Sequence, residues 1–555
     1  MGRPRKHQQK LEQIARSEFG YDSLRPGQET AIQGILSGRD TLAVMPTGSG
    51  KSAIYQIATR LLGGSAVVVS PLLALQCDQV EAISKQELGA AAVLNSTLTE
   101  AERQEVLAQW ERGNLEFLFL APEQFNQSEI LERLETAKLT LFVVDEAHCI
   151  SEWGHSFRPD YLRLGSTITS LGHPRILALT ATAAPLVREE IVLRLGMRDP
   201  CVVVQGFDRP NIWLGVERFE EKAEKLEALF SQVSRTEKPG IIYGATRKYT
   251  EEIAEYLSER GIPSRFYHAG MKTSERQEVQ AAFMGDEIEV LVATTAFGMG
   301  VDKPNVRFVF HYNISDSLDS YYQEIGRAGR DGELAKALLF YDSEDLKIRR
   351  FLASKGQLDA EVVERVAEFV QNEEQPIAPT ELQEKTDLSK SKLTKALSHL
   401  AELGAVETLP TGEVTASEEG VDLSEVTTEV LQAQERRQQY ERSRLEMMRG
   451  YAEVRGCRRE YLLNYFGEIL EEPCGFCDNC KAGITMEKND SLQLFPLNSR
   501  VVHTTWGEGL VMRYESDKVV VLFDRVGYKT IGIEIARLRG LLRPATSTRV
   551  DADAR

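Results

Sequence analysis

No run of this chain is long or apolar enough to span a membrane, and the basic stretch Met1 to Lys10 is not followed by the apolar segment that a secretory signal needs. The expected location is therefore intracellular: cytoplasmic, and nucleoid-associated in a bacterium. A basic excess is also lacking. The formal net charge is -18, which argues mildly against a nucleic-acid partner, although a local basic channel can coexist with acidic outer faces. Cysteine is sparse, at seven in 555 residues. Cys77, Cys149 and Cys201 stand alone and read as small buried hydrophobes. Cys457, Cys474, Cys477 and Cys480 are spaced C-x16-C-x2-C-x2-C. In an intracellular chain this reads as a four-thiolate zinc site rather than as disulfides, with a redox C-x-x-C or an iron–sulfur cluster as the alternatives. Pro473 and Gly475 shape the turn that lets these thiolates converge.

What is present is more specific. A hydrophobic fraction of 42% supports full cores, and 555 residues suggest three to five domains. Met45-Pro46-Thr47-Gly48-Ser49-Gly50-Lys51-Ser52 is a phosphate-binding loop between an apolar run, Thr41 to Val44, and a helix start, Ser52 to Ala58. Its glycines permit the tight turn that aims backbone N–H groups at phosphate oxygens. Lys51 supplies charge to the β- and γ-phosphates, and the Ser52 hydroxyl is a Mg²⁺ ligand. Met45 stands where the strict pattern has its first glycine, but strand, turn and helix are all in place. Further on, the apolar run Leu141 to Val144 ends at Asp145-Glu146-Ala147-His148. An aspartate at the carboxyl end of a parallel strand can hold Mg²⁺, and Glu146 is placed to orient the attacking water. Together the two motifs predict hydrolysis of a nucleoside triphosphate coupled to other work.

Apolar strands alternate with amphipathic helices from about residue 20 to 205, with strands at 66–70, 117–120, 141–144, 176–179 and 202–204. The pattern repeats from about 212 to 345, with strands at 240–243, 265–267, 290–293, 308–311 and 337–341, but without a phosphate loop. Two parallel sheets with one loop between them imply a nucleotide held between lobes. The run Gln323 to Gly332 then offers Arg327 and Arg330 to stabilise charge on the γ-phosphate.

These runs bring the chain to a family. It resembles the RecQ family of superfamily-2 DNA helicases in Leu24-Arg25-Pro26-Gly27-Gln28, the phosphate loop, Val69-Ser70-Pro71-Leu72, Asp145 to Pro159, Leu179-Thr180-Ala181-Thr182-Ala183, Phe207-Asp208-Arg209-Pro210-Asn211, Tyr267-His268-Ala269-Gly270, Ala296 to Gly300 and Gln323 to Gly332, in the family's order. The cysteine cluster with Leu462-Leu463-Asn464-Tyr465-Phe466-Gly467 matches too. The resemblance implies ATP as the nucleotide, with Tyr21, Arg25 and Gln28 recognising adenine. It implies that Thr180 and Thr182 relay nucleotide state to DNA. It makes Trp153, Phe157 and Arg158, with His148 beside them, an aromatic-rich DNA loop, a role that suits bases stacking on aromatic faces.

Residues 356 to 420 depart from the family, in which a winged helix normally follows the zinc module. Val362, Val366, Phe369 and Val370 share one helix face; 380–385 is a second helix; Ser389 caps a third bearing Leu393, Leu397 and Leu400. Residues 404–415 then read as a wing with a Pro-Thr-Gly turn, so a winged helix precedes the cysteines. Lys390, Lys392 and Lys395 offer it duplex-phosphate contacts; a spacer without DNA contact is the competing reading. A charged helix is expected over 432–455. From Arg500 to about Pro544 short alternating strands, with a turn at Trp506-Gly507-Glu508-Gly509, predict a small β-barrel. It is similar to the Tudor-like domain ending UvrD/PcrA helicases, which implies docking of a protein partner or of nucleic acid. Gly2-Arg3-Pro4-Arg5-Lys6 resembles a minor-groove arm, though a solvated basic terminus is the plainer reading.

The expected fold is α/β: RecA-like lobes over 1–205 and 206–345, a winged-helix-like module over 356–420, a zinc-binding helical module over 430–482, a small barrel over 499–544 and a disordered tail over 545–555. The expected function is ATP-dependent 3′–5′ unwinding of DNA in repair and recombination, with ATP, Mg²⁺ and Zn²⁺ as cofactors and single-stranded and fork DNA as partners. The alternatives are a DNA-stimulated translocase that separates strands poorly, and a nucleotide-switched DNA-binding scaffold.

Overall fold

The computed structural model describes residues 11, 13–20, 22–95, 97–136, 139–151, 157–298, 301–354, 360–373, 375–402, 404–409, 413–417, 423–484, 493–515 and 517–545. The expected minor-groove arm, the Pro-Thr-Gly turn, Tyr21, Trp153 and all but the first residue of the tail lie outside them. Two compact units partition the chain: one of 1–206, 298–302 and 354–434, the other of 207–297, 303–353 and 435–555. Among the described residues no helix is long and apolar enough to cross a membrane.

The first unit contains a seven-stranded parallel sheet in the order β3-β4-β2-β5-β6-β1-β7. Its strands are β1 (Thr41–Val44), β2 (Ser65–Val69), β3 (Ala91–Leu94), β4 (Phe117–Leu120), β5 (Leu139–Val144), β6 (Arg175–Thr180) and β7 (Cys201–Val204). β1, β2 and β4 are buried throughout, as expected where helices cover both faces of a parallel sheet. The order sets β5, β6 and β1 side by side, so their carboxyl ends open at one place. β3 was not legible: Ala91-Ala92-Val93 is half-buried and too weakly apolar to stand out.

In the same unit Ala360–Asn372, Pro379–Thr386 and Lys390–Glu402 are helices, followed by the antiparallel hairpin β14 (Val406–Thr408) and β15 (Val414–Ala416). Ile377 and Val414 exchange both backbone hydrogen bonds at 2.9 Å, adding a third short strand segment. Val363, Val366, Leu382, Leu393, Leu400, Val406 and Val414 close one core. Three helices and a hairpin around that core have the connectivity of a winged helix.

The second unit contains a six-stranded parallel sheet, β10-β11-β9-β12-β13-β8. It comprises β8 (Ile212–Arg218), β9 (Gly240–Tyr243), β10 (Ser264–Tyr267), β11 (Val290–Ala293), β12 (Phe308–His311) and β13 (Ala335–Tyr341). β8, unforeseen, forms the edge beside β13, and its glycine and charged end hide it in the sequence. The charged helix is longer than expected, Leu423–Glu453, because mixed charges give no boundary signal. It leads to the short helices Arg458–Tyr465 and Asp478–Lys481.

The C-terminal segment is an antiparallel five-stranded sheet in the order β19-β18-β17-β16-β20. These strands are β16 (Arg500–His503), β17 (Gly507–Glu515), β18 (Lys518–Phe523), β19 (Gly527–Gly532) and β20 (Leu542–Pro544). The expected turn at 506–509 is corrected: β17 already begins at Gly507, and the chain reverses over 504–506, where the ring nitrogen His503 Nδ1 accepts N–H bonds from Thr505 and Trp506 at 3.1 and 3.2 Å.

Candidate nucleotide and zinc sites

The nucleotide site grows from the three adjacent strand ends. β1 leads into the phosphate loop, where Gly48 and Gly50 have φ of 78 and 77, and Gly50 caps the helix Lys51–Leu62. A positive φ at both positions turns the backbone back on itself at little cost only for glycine. The Lys51 ammonium donates to the carbonyls of Met45 and Pro46 at 3.1 and 3.4 Å, which keeps it inside the loop. Gln28 Nε2 donates to Ser49 O at 3.1 Å and Gly50 O at 2.9 Å, while its Oε1 accepts from Arg25 N at 2.8 Å. The Arg25 guanidinium donates to Gly48 O. The structure thus places the two described residues of the expected adenine set directly on the loop. Thr47 and Ser52 flank its turn, both half-buried.

At the end of β5, Asp145 Oδ1 accepts from Glu146 N at 2.9 Å. Burial pushes the Asp145 carboxyl above the usual range, opposed by the Lys51 charge and by that N–H bond. Tyr161 donates its hydroxyl to Asp145 O at 3.0 Å, a contact with no sequence signal. Glu146 adopts a left-handed conformation, φ 48 and ψ 44. For a residue with a Cβ this costs about 1–2 kcal/mol, a strain typical of functional sites. It turns the chain into the 3₁₀ segment Ala147–Ile150.

From Glu146 a buried polar chain crosses to β6. His148 Nδ1 lies 3.3 Å from Glu146 Oε2 and 2.9 Å from Thr180 Oγ1. That hydroxyl donates to Thr182 O at 3.0 Å and accepts from Thr182 N at 3.2 Å. Arg158 Nη1 donates to Pro71 O at 3.1 Å, tying the aromatic-rich loop to the end of the β2 segment. Phe157 is half-buried beside it. His148 itself is buried between Glu146 and Thr180.

In the second unit Arg327 is buried and Arg330 half-buried. Burial pushes the Tyr243 hydroxyl up to about 12, and the nearby Arg327 and Arg330 guanidinium groups hold it down. Tyr243 is the last residue of β9. Their loop is gripped from below. Arg209 donates to the carbonyls of Gly326, Ala328 and Gly329 at 3.2, 2.9 and 3.0 Å, and Asn211 Nδ2 donates to Gly329 O and Glu333 O at 2.8 and 2.9 Å. At Gly329, φ 56, a Cβ would lie 2.5 Å from Asn211 Nδ2. The roles of Arg209 and Asn211 were not foreseen, since nothing in the sequence says that one motif carries another.

The sulfur atoms of Cys457, Cys474, Cys477 and Cys480 all lie within 4.8 Å of one another. Four ligands at about 2.3 Å from a tetrahedral zinc require sulfurs a little under 4 Å apart, and Cys474 and Cys480 are 4.0 Å apart. Backbone N–H groups point at the sulfurs: Glu460 and Cys474 at Cys457, Phe476 at Cys474, Cys480 at Cys477, over 3.3–3.5 Å. Donors aimed at sulfur stabilise thiolates, so the set fits Zn²⁺. Lys390 and Lys395 are exposed on the third helix of the winged-helix module, with Lys392 half-buried, and Lys392 N donates to the capping Ser389 at 3.4 Å.

A phosphate loop, a strand-end Asp-Glu pair and a second parallel sheet bearing two arginines define the two-lobed helicase class of ATPase. Family models match as DEAD/DEAH box helicase over residues 25–190, helicase conserved C-terminal domain over 221–332 and RecQ zinc-binding over 418–481. The chain is 35% identical over 498 residues to the probable ATP-dependent DNA helicase RecS of Bacillus subtilis, covering 88% of this chain and 96% of RecS. It is also 35% identical to the ATP-dependent DNA helicase RecQ of Pasteurella multocida, over 84% of this chain and 61% of that protein. Among solved structures, the DUF1998 helicase MrfA bound to DNA shares the fold, with a TM-score of 0.51 at 18% identity over 75% of this chain and 60% of MrfA. The chain belongs to the RecQ family of ATP-dependent DNA helicases. Its helicase domains bind ATP, and its cysteine cluster is the family's zinc site.

Proposed function

We propose that the chain is an ATP-dependent DNA helicase translocating 3′ to 5′ on single-stranded DNA, acting in repair and recombination. The observation that carries the reading is the row of polar groups in which Glu146 Oε2 lies 3.3 Å from His148, and His148 meets Thr180 and through it Thr182, because it brings the water-orienting residue close to the segment assigned to DNA signalling. In this reading Lys51 and the loop amides hold the β- and γ-phosphates, and Gln28 and Arg25, with Tyr21, recognise adenine. Ser52 and Asp145 would hold Mg²⁺, whose hydroxyl and carboxylate donors suit a hard dication that neutralises phosphate charge. Glu146 orients the attacking water. Arg327 and Arg330 stabilise the transition-state charge on the γ-phosphate. Trp153, Phe157 and Arg158 contact single-stranded DNA, and Lys390, Lys392 and Lys395 contact duplex phosphate. The C-terminal sheet, similar to a Tudor-like domain, docks a protein partner or nucleic acid.

The test is strand separation on duplexes with a single 3′ or 5′ tail. The reading expects unwinding of the 3′-tailed duplex only, and none by Lys51→Ala. Unwinding from the 5′ tail would overturn the polarity, and unwinding by Lys51→Ala would overturn the role of the phosphate loop.

A further inference from the structure

The segment that grips the arginine loop is itself gripped. Phe207 N donates to Glu468 Oε2 at 2.5 Å, and the Phe207 ring stacks on Phe466 with centroids 4.5 Å apart and planes at 11°. Asp208 is paired with the buried guanidinium of Arg459, whose second nitrogen donates to Ile212 O at 2.7 Å. Arg459 sits on the helix Arg458–Tyr465, which is capped by the zinc ligand Cys457. Its neighbour Arg458 bonds Asp478 at 2.5 Å, and Asp478 accepts from Val216 N of β8 at 2.9 Å. The zinc module is thus bolted to β8 and to the segment 207–211.

A second line of contacts reaches the same loop. The helix Leu318–Ile325 runs directly into Gly326. Near its start, Asp319 accepts from Tyr465 at 2.5 Å and pairs with Arg444 at 3.5 Å. The Tyr321 and Tyr451 hydroxyls are 3.2 Å apart, and Tyr322 donates to Phe207 O at 2.8 Å. The zinc module and its lead helix therefore hold the arginine loop through the helix before it and through the segment beneath it. All these partners belong to one compact unit.

We propose that the zinc module positions the arginine loop: Arg459 fixes Asp208, and Arg209 and Asn211 on the same segment fix the loop that presents Arg327 and Arg330. Arg459, Asp208, Arg209 and Asn211 are positioning residues: their bonds run to the loop and to one another's segment. The inference rests on the reading of Arg327 as a transition-state residue. Displacing a reacting group by about 1 Å can cost on the order of 10²-fold in rate, so a slackened loop lowers kcat without weakening ground-state binding.

The experiment measures ATP hydrolysis by the full chain at saturating single-stranded DNA for Arg459→Gln, Asp208→Asn and Arg327→Ala, alone and combined, with zinc content measured on each. The expected result is a kcat about ten- to a hundredfold lower in Arg459→Gln, with ATP KM and half-saturating DNA unchanged and one zinc per chain retained. Asp208→Asn, the milder change, should lower kcat in the same way. Added to Arg327→Ala, Arg459→Gln should cost much less than it does alone, because only Arg330 is left to place. Unchanged kcat in both positioning variants would overturn the proposal, and so would a loss that multiplies with that of Arg327→Ala. Wild-type hydrolysis by Arg327→Ala would instead remove the reading of the loop on which the proposal stands.

Discussion

Adding one methyl group at Gly50 should disable the nucleotide site, by an amount that the geometry lets us work out. Gly50 sits at φ +77, and a Cβ built there lies 2.7 Å from Gln28 Nε2. The left-handed conformation costs an alanine about 1–2 kcal/mol. To escape the methyl, the Gln28 amide must give up its bonds to the Ser49 and Gly50 carbonyls, each worth about 0.5–1.5 kcal/mol. Together Gly50→Ala should cost the loop about 2–5 kcal/mol, or roughly 30- to several-thousandfold in kcat/KM for ATP at about 1.4 kcal/mol per tenfold. The assay is steady-state hydrolysis with saturating single-stranded DNA, with direct DNA binding as the control that should not move. In a Gln28→Ala background the methyl meets no amide, so only the backbone cost remains and the cycle should show a coupling of about 1–3 kcal/mol. A loss from Gly50→Ala that is below threefold, or that is equal with and without Gln28, would refute the reasoning.

Three further outcomes are expected. Changing Lys390, Lys392 and Lys395 together to alanine should flatten the salt dependence of duplex binding by about two to three units of slope, while hydrolysis stimulated by single strands holds; an unchanged slope and unchanged unwinding would make the module a spacer. Burial holds His503 below the usual histidine range, so near pH 6.5 the folded chain binds fewer protons than the unfolded one. Stability should therefore be full above that pH and fall as pH drops through it, less so in His503→Gln; identical pH profiles by thermal melting would contradict this. Metal analysis should give one zinc per chain, and stripping it should lower the melting temperature as the four thiols become titratable; iron in the native protein, or four free thiols, would contradict the site.

The parts that sequence made legible are those whose chemistry demands particular residues. Gly48, Gly50 and Lys51 announce a phosphate loop because no other residue types make that turn and charge, and four closely spaced cysteines announce a metal. The strands β1, β2, β4, β9, β11 and β12 showed as apolar runs because they are buried on both faces. The elements that escaped are those without a sharp pattern: β3 with its alanines, β8 at a sheet edge, the first turns of Leu423–Glu453, and the exact start of β17. The site's supports escaped for a different reason. Arg209 is eminently visible, but that its three bonds go to the loop at 326–329 is a fact of three-dimensional packing. The same holds for Tyr161 on Asp145 and for Arg459 on Asp208.

Unwinding of a forked duplex by wild type and by Glu146→Gln, each with ATP and with a non-hydrolysable analogue, joins the nucleotide site to work on DNA. The account predicts strand separation only by wild type with ATP, and tight ATP binding without separation by Glu146→Gln. Separation by Glu146→Gln, or brisk hydrolysis by wild type with no strands parted, would contradict it.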